Sequence, residues 1–214
     1  MNITYRKAHK KEIPAIASMV VNSFEHYPLF DICFRDKFKE EVAYNQFMNA
    51  LLRIHIKTVV RKNVCMVGEV DSKIVSMALI VNPKHKEATI MDYILCGGVE
   101  LYMRCGVRGI NDIRNVEAQS EEFYRKNYSS AWFLALLAVD NSTKGQKLGS
   151  KMIEECVKPY VARQGGTAIA LSTNDEKNCG FYIKNGFGEV EKKTVHLRKK
   201  SIDNWGYVCD INRE

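Results

Sequence analysis

The chain has 214 residues, 46% of them apolar and 27% charged, with a formal charge of +7. That balance excludes a disordered chain and fills the core of one domain, expected to span residues 1–214. The basic residues are spread along the sequence, densest from Lys7 to Lys11 and from Lys192 to Lys200, so they read as solvated surface and no nucleic-acid partner is expected.

Alternation of Ile3 and Tyr5 within Asn2 to Arg6 predicts a first strand. Lys11-Glu12-Ile13-Pro14 opens a helix whose apolar residues, Ile13, Ile16, Ala17, Val20, Val21 and Phe24, recur at helical spacing. Ser23 to Phe38 is rich in aromatics, with Glu25, His26 and Asp31 among them, and Pro28 breaks the first helix there. A second helix is expected from about Lys37 to Val60. Asn63 to Gly68 and Ile74 to Asn82 read as a hairpin joined through Asp71-Ser72-Lys73. Glu87 to Gly106 and Ile110 to Asn127 look helical, with interruptions at Gly97-Gly98 and Arg108-Gly109.

Trp132 to Val139 is an apolar run of strand length closed by Asp140-Asn141-Ser142-Thr143. Lys144-Gly145-Gln146-Lys147-Leu148-Gly149-Ser150 follows and leads into a helix with apolar residues from Leu148 to Val161. Two glycines let a ligand approach the backbone, and the N–H groups of the first helical turn point outward, so the loop suits an anion such as phosphate. Thr167 to Ser172 is a short strand, expected beside Trp132 to Val139 with the helix crossing over both. Asn178, Phe181-Tyr182 and Gly186-Phe187 mark a short helix with a glycine cap, and Val190 to Leu197 and Trp205 to Ile211 form a closing antiparallel pair.

Seven cysteines, an odd number with no C-x-x-C pair, argue against a disulfide framework and a zinc site, and no metal is expected. Cys156 and Cys179, beside the two motifs, read as small buried hydrophobes. No apolar run approaches the roughly 20 residues that span a bilayer. Without a signal-like N-terminus either, the expectation is a cytoplasmic protein with no membrane partner.

The loop and the Asn178 to Phe187 stretch together resemble the GCN5-related N-acetyltransferase family. Its loop pattern is Arg/Gln-x-x-Gly-x-Gly/Ala, and its later helix reads Asn-x-x-Phe/Leu-Tyr-x-x-x-Gly-Phe. The second pattern is met in full; in the first, Lys144 stands in the Arg/Gln position, Gly149 fits the last, and Lys147 replaces the middle glycine. The helical insertion before Trp132, and the Trp-x-Leu-x-x-Leu-x-Val run itself, are similar to the larger antibiotic-type and puromycin-acetyltransferase-like members.

The resemblance implies an α/β fold, a mixed, mostly antiparallel sheet of about seven strands flanked by helices, with the strands at Val139 and Ser172 splayed apart to admit a pantetheine arm. It implies acetyl-CoA as co-substrate and a small primary amine as acceptor, in a monomer or homodimer. A CoA-binding module without turnover is the alternative. Residues 144–150, namely Lys144, Gly145, Gln146, Lys147, Leu148, Gly149 and Ser150, would hold the pyrophosphate, and the backbone of Leu137, Ala138 and Val139 the pantetheine amide. Asn174 and Asn178 would reach the cofactor arm, and Tyr182 would give the departing thiolate its proton. The general base is left open among Glu25, His26, Glu69 and Glu100, with Asp140 at the loop.

Overall fold

The computed structural model describes residues 2–211 other than 25, 86 and 144. Its centre is a seven-stranded sheet in the order β1-β2-β3-β4-β5-β7-β6. The strands are β1 (Thr4–Lys7), β2 (Val64–Val70), β3 (Lys73–Val81), β4 (Trp132–Val139), β5 (Ala168–Thr173), β6 (Gly188–Leu197) and β7 (Lys200–Asp210). Neighbours run antiparallel except β4 and β5, which are parallel and need the helical crossover between them.

Helices α1 (Ile13–Ser23), α2 (Pro28–Phe34), α3 (Glu41–Val59), α4 (Ile90–Leu95), α5 (Val99–Ser120) and α6 (Glu122–Asn127) precede β4. In α1, Ile13, Ile16, Ala17 and Val20 are buried at intervals of three and four, one stripe against the sheet. That stripe shares a core with α2, α3, α5 and the Val67, Met77, Leu79, Leu136 and Ala138 face of the sheet. The opposite face, with Met66, Ala78, Ile80, Trp132 and Leu134, is covered by α7 (Leu148–Lys151), a π turn (Met152–Val157) and α8 (Lys158–Arg163), which run on as one helix. Pro159, with no N–H to give Glu155, lies two residues beyond the π turn and favours the wider winding there. α9 (Cys179–Lys184) precedes the β6–β7 pair.

Several boundaries differ from the sequence expectation. The hairpin turn is two residues, Asp71 and Ser72, both left-handed at φ 49° and 64°, as a tight turn matched to strand twist requires. The second helix starts at Glu41 rather than Lys37, as α3, and a separate short helix, α2, opens at Pro28 where only a break was expected. In the insertion, the break expected at Arg108-Gly109 falls at Gly106 instead, whose φ 70° and ψ 170° only glycine adopts readily.

Candidate active site

β4 and β5 touch only where Trp132 faces Ile169 and Phe133 faces Ala170. Beyond that point β4 stays with β3 as far as Val139, and β5 stays with β7 as far as Thr173, so a gap opens between two strands of one sheet. A bulge marks the separation: Leu79 faces Leu136 and Ile80 faces Leu134, which leaves Ala135 without an opposite number.

The bulge also reverses which face each side chain takes. Trp132 and Leu134 pack toward α7, Leu136 and Ala138 toward α1 and α3, and Leu137 toward α7 again. The Val139 carbonyl accepts the Ser23 hydroxyl at 2.6 Å, whereas the Asp140 N–H goes back to Val75 O at 2.9 Å. By strand alternation the main-chain groups of Leu137 and the N–H of Val139 therefore face the gap. Ala138 is buried opposite Met77 and turns to β3.

The loop after β4 is stapled by Asp140, which takes Lys73 at 2.7 Å and the Ser142 N–H at 2.9 Å. Those partners, Lys73 first, hold its carboxyl at about 2, so it is a fixed anion rather than a base. Lys147 adopts the left-handed conformation, φ 57° and ψ 23°, and begins the helix. Lys151 donates to Lys147 O at 3.0 Å, which leaves the N–H groups of Leu148, Gly149 and Ser150 at the open end of the helix. A Cβ on Gly149 would meet the Phe181 ring at 3.1 Å and Val139 Cγ2 at 3.6 Å, so any larger residue here makes the Phe181 ring give way where this end sits against β4 and α9. Lys144 lies outside the described residues.

Across the gap, Thr173 ends β5 in a polar knot. Its hydroxyl meets Tyr27 OH and Asn178 Nδ2, each at 3.2 Å, and Asn174 N donates to Tyr27 OH at 2.9 Å. The Asn174 amide is held inward by Asp203 O and Asn204 Oδ1, both at 3.1 Å. Tyr182 stacks among Phe181, Phe187 and Tyr207, with ring centroids 5.2 to 5.8 Å apart. Burial first, and then Tyr27, push its phenol well above the ordinary value, and it makes no hydrogen bond among the described residues.

One cavity of about 1330 Å³ joins these parts. It starts at Gly145, Lys147, Leu148 and Gly149 and passes Leu137, Val139, Asn174, Asn178 and Tyr182. Ala138, Gln146 and Ser150 are not in its wall. It ends in a chamber formed by Phe30, His55, Tyr93, Glu117, Glu121 and Arg125. Burial, and then the charge of Glu121, push the Glu117 carboxyl up to about 8. Burial likewise pushes Glu121 up to about 7, although Arg125 lies 2.9 Å away and opposes the shift. Burial holds His55 neutral, at about 4, with its Nδ1 2.7 Å from Tyr93 OH.

Among the described residues, none of the carboxylates and imidazoles singled out in the sequence as bases lines this cavity. Glu69 is tied to Arg6 at 2.5 Å, and Glu100 to Arg53 and Arg104, each at 2.9 Å. His26 is 60% exposed and 3.7 Å from Asp31, and Glu25 lies outside the described residues. The acidic pair came instead from the insertion. Its signal was there: Glu117 and Glu121 follow Ile113 at intervals of four, on the stripe that also buries Val116 and Ser120.

No family model and no curated relative matches the sequence. Solved structures do match the fold over nearly the whole chain. Arylalkylamine N-acetyltransferase 2 from Aedes aegypti is 13% identical with a TM-score of 0.65, covering 99% of this chain and 100% of that one. A structure described as histone acetyltransferase HPA2 and related acetyltransferase, from Corynebacterium glutamicum, is 16% identical at a TM-score of 0.61, covering 96% of each. The ribosomal-protein-S18-alanine N-acetyltransferase of Escherichia coli is 11% identical at 0.53, covering 100% of this chain and 96% of that one.

Proposed function

We infer the function of this chain from its fold, which is that of the GCN5-related N-acetyltransferases. We propose that it transfers the acetyl group of acetyl-CoA to a primary amine of a small molecule, by direct attack of the amine on the thioester. The observation that carries this reading is the β4–β5 gap, which opens a single cavity between a helix end suited to pyrophosphate and a chamber with carboxyl groups. That the Aedes structure is described as an arylalkylamine acetyltransferase supports a small amine as acceptor.

In this reading the N–H groups of Leu148, Gly149 and Ser150 hold the pyrophosphate, with Lys147 and Lys144 adding positive charge and Gly145 and Gln146 completing the loop. Leu137 and Val139 extend β4's free edge to the pantetheine amides, as an added strand would be met. Asn174 and Asn178 border the arm, their side chains fixed by β5 and β7 neighbours. Acetyl-CoA supplies the activated acyl group. Main-chain N–H groups at the Ala135 bulge are the donors assigned to the developing oxyanion, and the cavity would hold the amine against the carbonyl. Tyr182 lines the cavity with its phenol kept protonated by burial, and it is assigned the proton for the departing sulfur.

Steady thiol release from acetyl-CoA, dependent on an added primary amine, tests the reaction. Calorimetric binding of CoA with no release for any amine would sink acetyl transfer and give the silent CoA-binding module instead.

A further inference from the structure

The chamber at the far end of the cavity has an uneven charge balance. Glu121 is paired with Arg125, which also holds Glu87. Glu117, one turn earlier on α5, has no ion pair and no hydrogen bond from a side chain among the described residues. The groups around it cannot neutralise it. His55 on α3 is neutral and already bound to Tyr93 of α4, and the Cys33 thiol on α2 is pushed up to about 12 by burial. Arg125 and, less strongly, the exposed Arg114 lower it through space only, and Glu121 raises it. Tyr124 of α6 also lines the chamber, and it too is uncharged, its phenol raised by burial. The rest of the wall near it is apolar, including Phe30, Leu51, Leu52, Leu101 and Ile113.

An unpaired carboxyl in this wall keeps its proton to about 8, and a cation that arrives with the ligand favours its charged form. Resting on the acetyl-transfer reading above, we propose that Glu117 receives the acceptor's ammonium group and takes its proton, and that the acceptor is a primary monoamine on an apolar body. One unpaired carboxyl matches one positive charge. A second ammonium would lie against leucines and phenylalanine, and an acceptor carboxylate would face Glu117 and Glu121 together.

The proton balance closes. The ammonium gives its proton to a Glu117 carboxylate oxygen, and the freed nitrogen lone pair forms the N–C bond. The C–S pair leaves with sulfur, which takes the Tyr182 proton. As the carbonyl re-forms, the nitrogen's second proton passes through water to the tyrosinate and restores the phenol, and Glu117 gives its proton to solvent, the one net proton released.

The test measures thiol release by the full chain with 2-phenylethylamine, with 1,4-diaminobutane, and with phenylalanine, which adds a carboxylate to the first. Expected is a kcat/KM for 2-phenylethylamine at least about tenfold above both others. Glu117→Gln, which keeps the shape, should raise KM for that amine about tenfold or more, leave calorimetric affinity for CoA near wild type, and melt at or above the wild-type temperature. Because kcat/KM reports the free enzyme, its acid limb should also move in Glu117→Gln, while Glu117→Asp retains part of it. An unchanged KM and pH profile in Glu117→Gln, or a preference for the diamine, overturns the inference while acetyl transfer stands. No thiol release by the wild type with any amine removes both.

Discussion

Lys147 holds a left-handed backbone, φ 57°, at the residue that opens α7, a place where glycine would sit without strain. Its side chain is exposed at the mouth of the cavity, so the strain is offset by function if the ammonium meets the pyrophosphate. Lys147→Gly is expected to leave stability within about 1 kcal/mol, since relief of the left-handed strain offsets the entropy of the freer unfolded chain. KM for acetyl-CoA should rise severalfold and lose part of its salt dependence, measured by initial rates at two ionic strengths. Tyr182 is the opposite case, a plain ring among rings whose hydroxyl has no protein partner among the described residues. Tyr182→Phe should lower kcat about 100-fold with little change in KM for acetyl-CoA; equal turnover would remove the tyrosine from the proton path.

Among the elements, α5 contributes most that was not anticipated. It kinks at Gly106, and its second half carries Glu117 into the cavity wall, with Glu121 just beyond its end. Gly106→Ala forces a side chain into φ 70° and ψ 170°, and should cost about 1–3 kcal/mol while raising KM for the amine more than for acetyl-CoA. The two carboxyls also set a pH dependence. In the unfolded chain they release protons near 4.5, but in the folded chain they keep them up to about 8 and 7. The folded state therefore binds more protons between those limits, and its stability falls as pH rises through them. Carboxyls held low, such as Asp140 and Glu12 at about 2, have already made their contribution above pH 5 and do not mask the trend. His55, held at about 4 instead of 6.5, opposes the trend below about pH 6.5, so thermal melting should show the decline most clearly between pH 6.5 and 8, and a smaller one in Glu117→Gln. β4 was legible to the residue, because an apolar run of strand length ends abruptly at Asp140, and the Asn178 to Phe187 motif fell where its helix lies. α5 was not, because three glycines in ten residues each offer a possible break, and only packing selects Gly106. A carboxylate on an apolar stripe likewise looks like an error in the pattern until the opposing walls are known.

At the scale of the molecule, the sheet is one piece at β1 to β4 and another at β5 to β7, joined at two residue pairs and parted from there on. The two cores on opposite faces hold the halves in place, so the gap is built into the fold rather than opened by a ligand. Everything assigned to the cofactor lies along that gap, and everything assigned to the acceptor lies at its inner end. A crystal structure of the complex with acetyl-CoA tests that arrangement most directly. The predicted result places pyrophosphate at the N–H groups of Leu148 to Ser150, the pantetheine amides against Leu137 and Val139, and the sulfur beside Tyr182. Cofactor bound on another face, with the β4–β5 gap left to solvent, would contradict it.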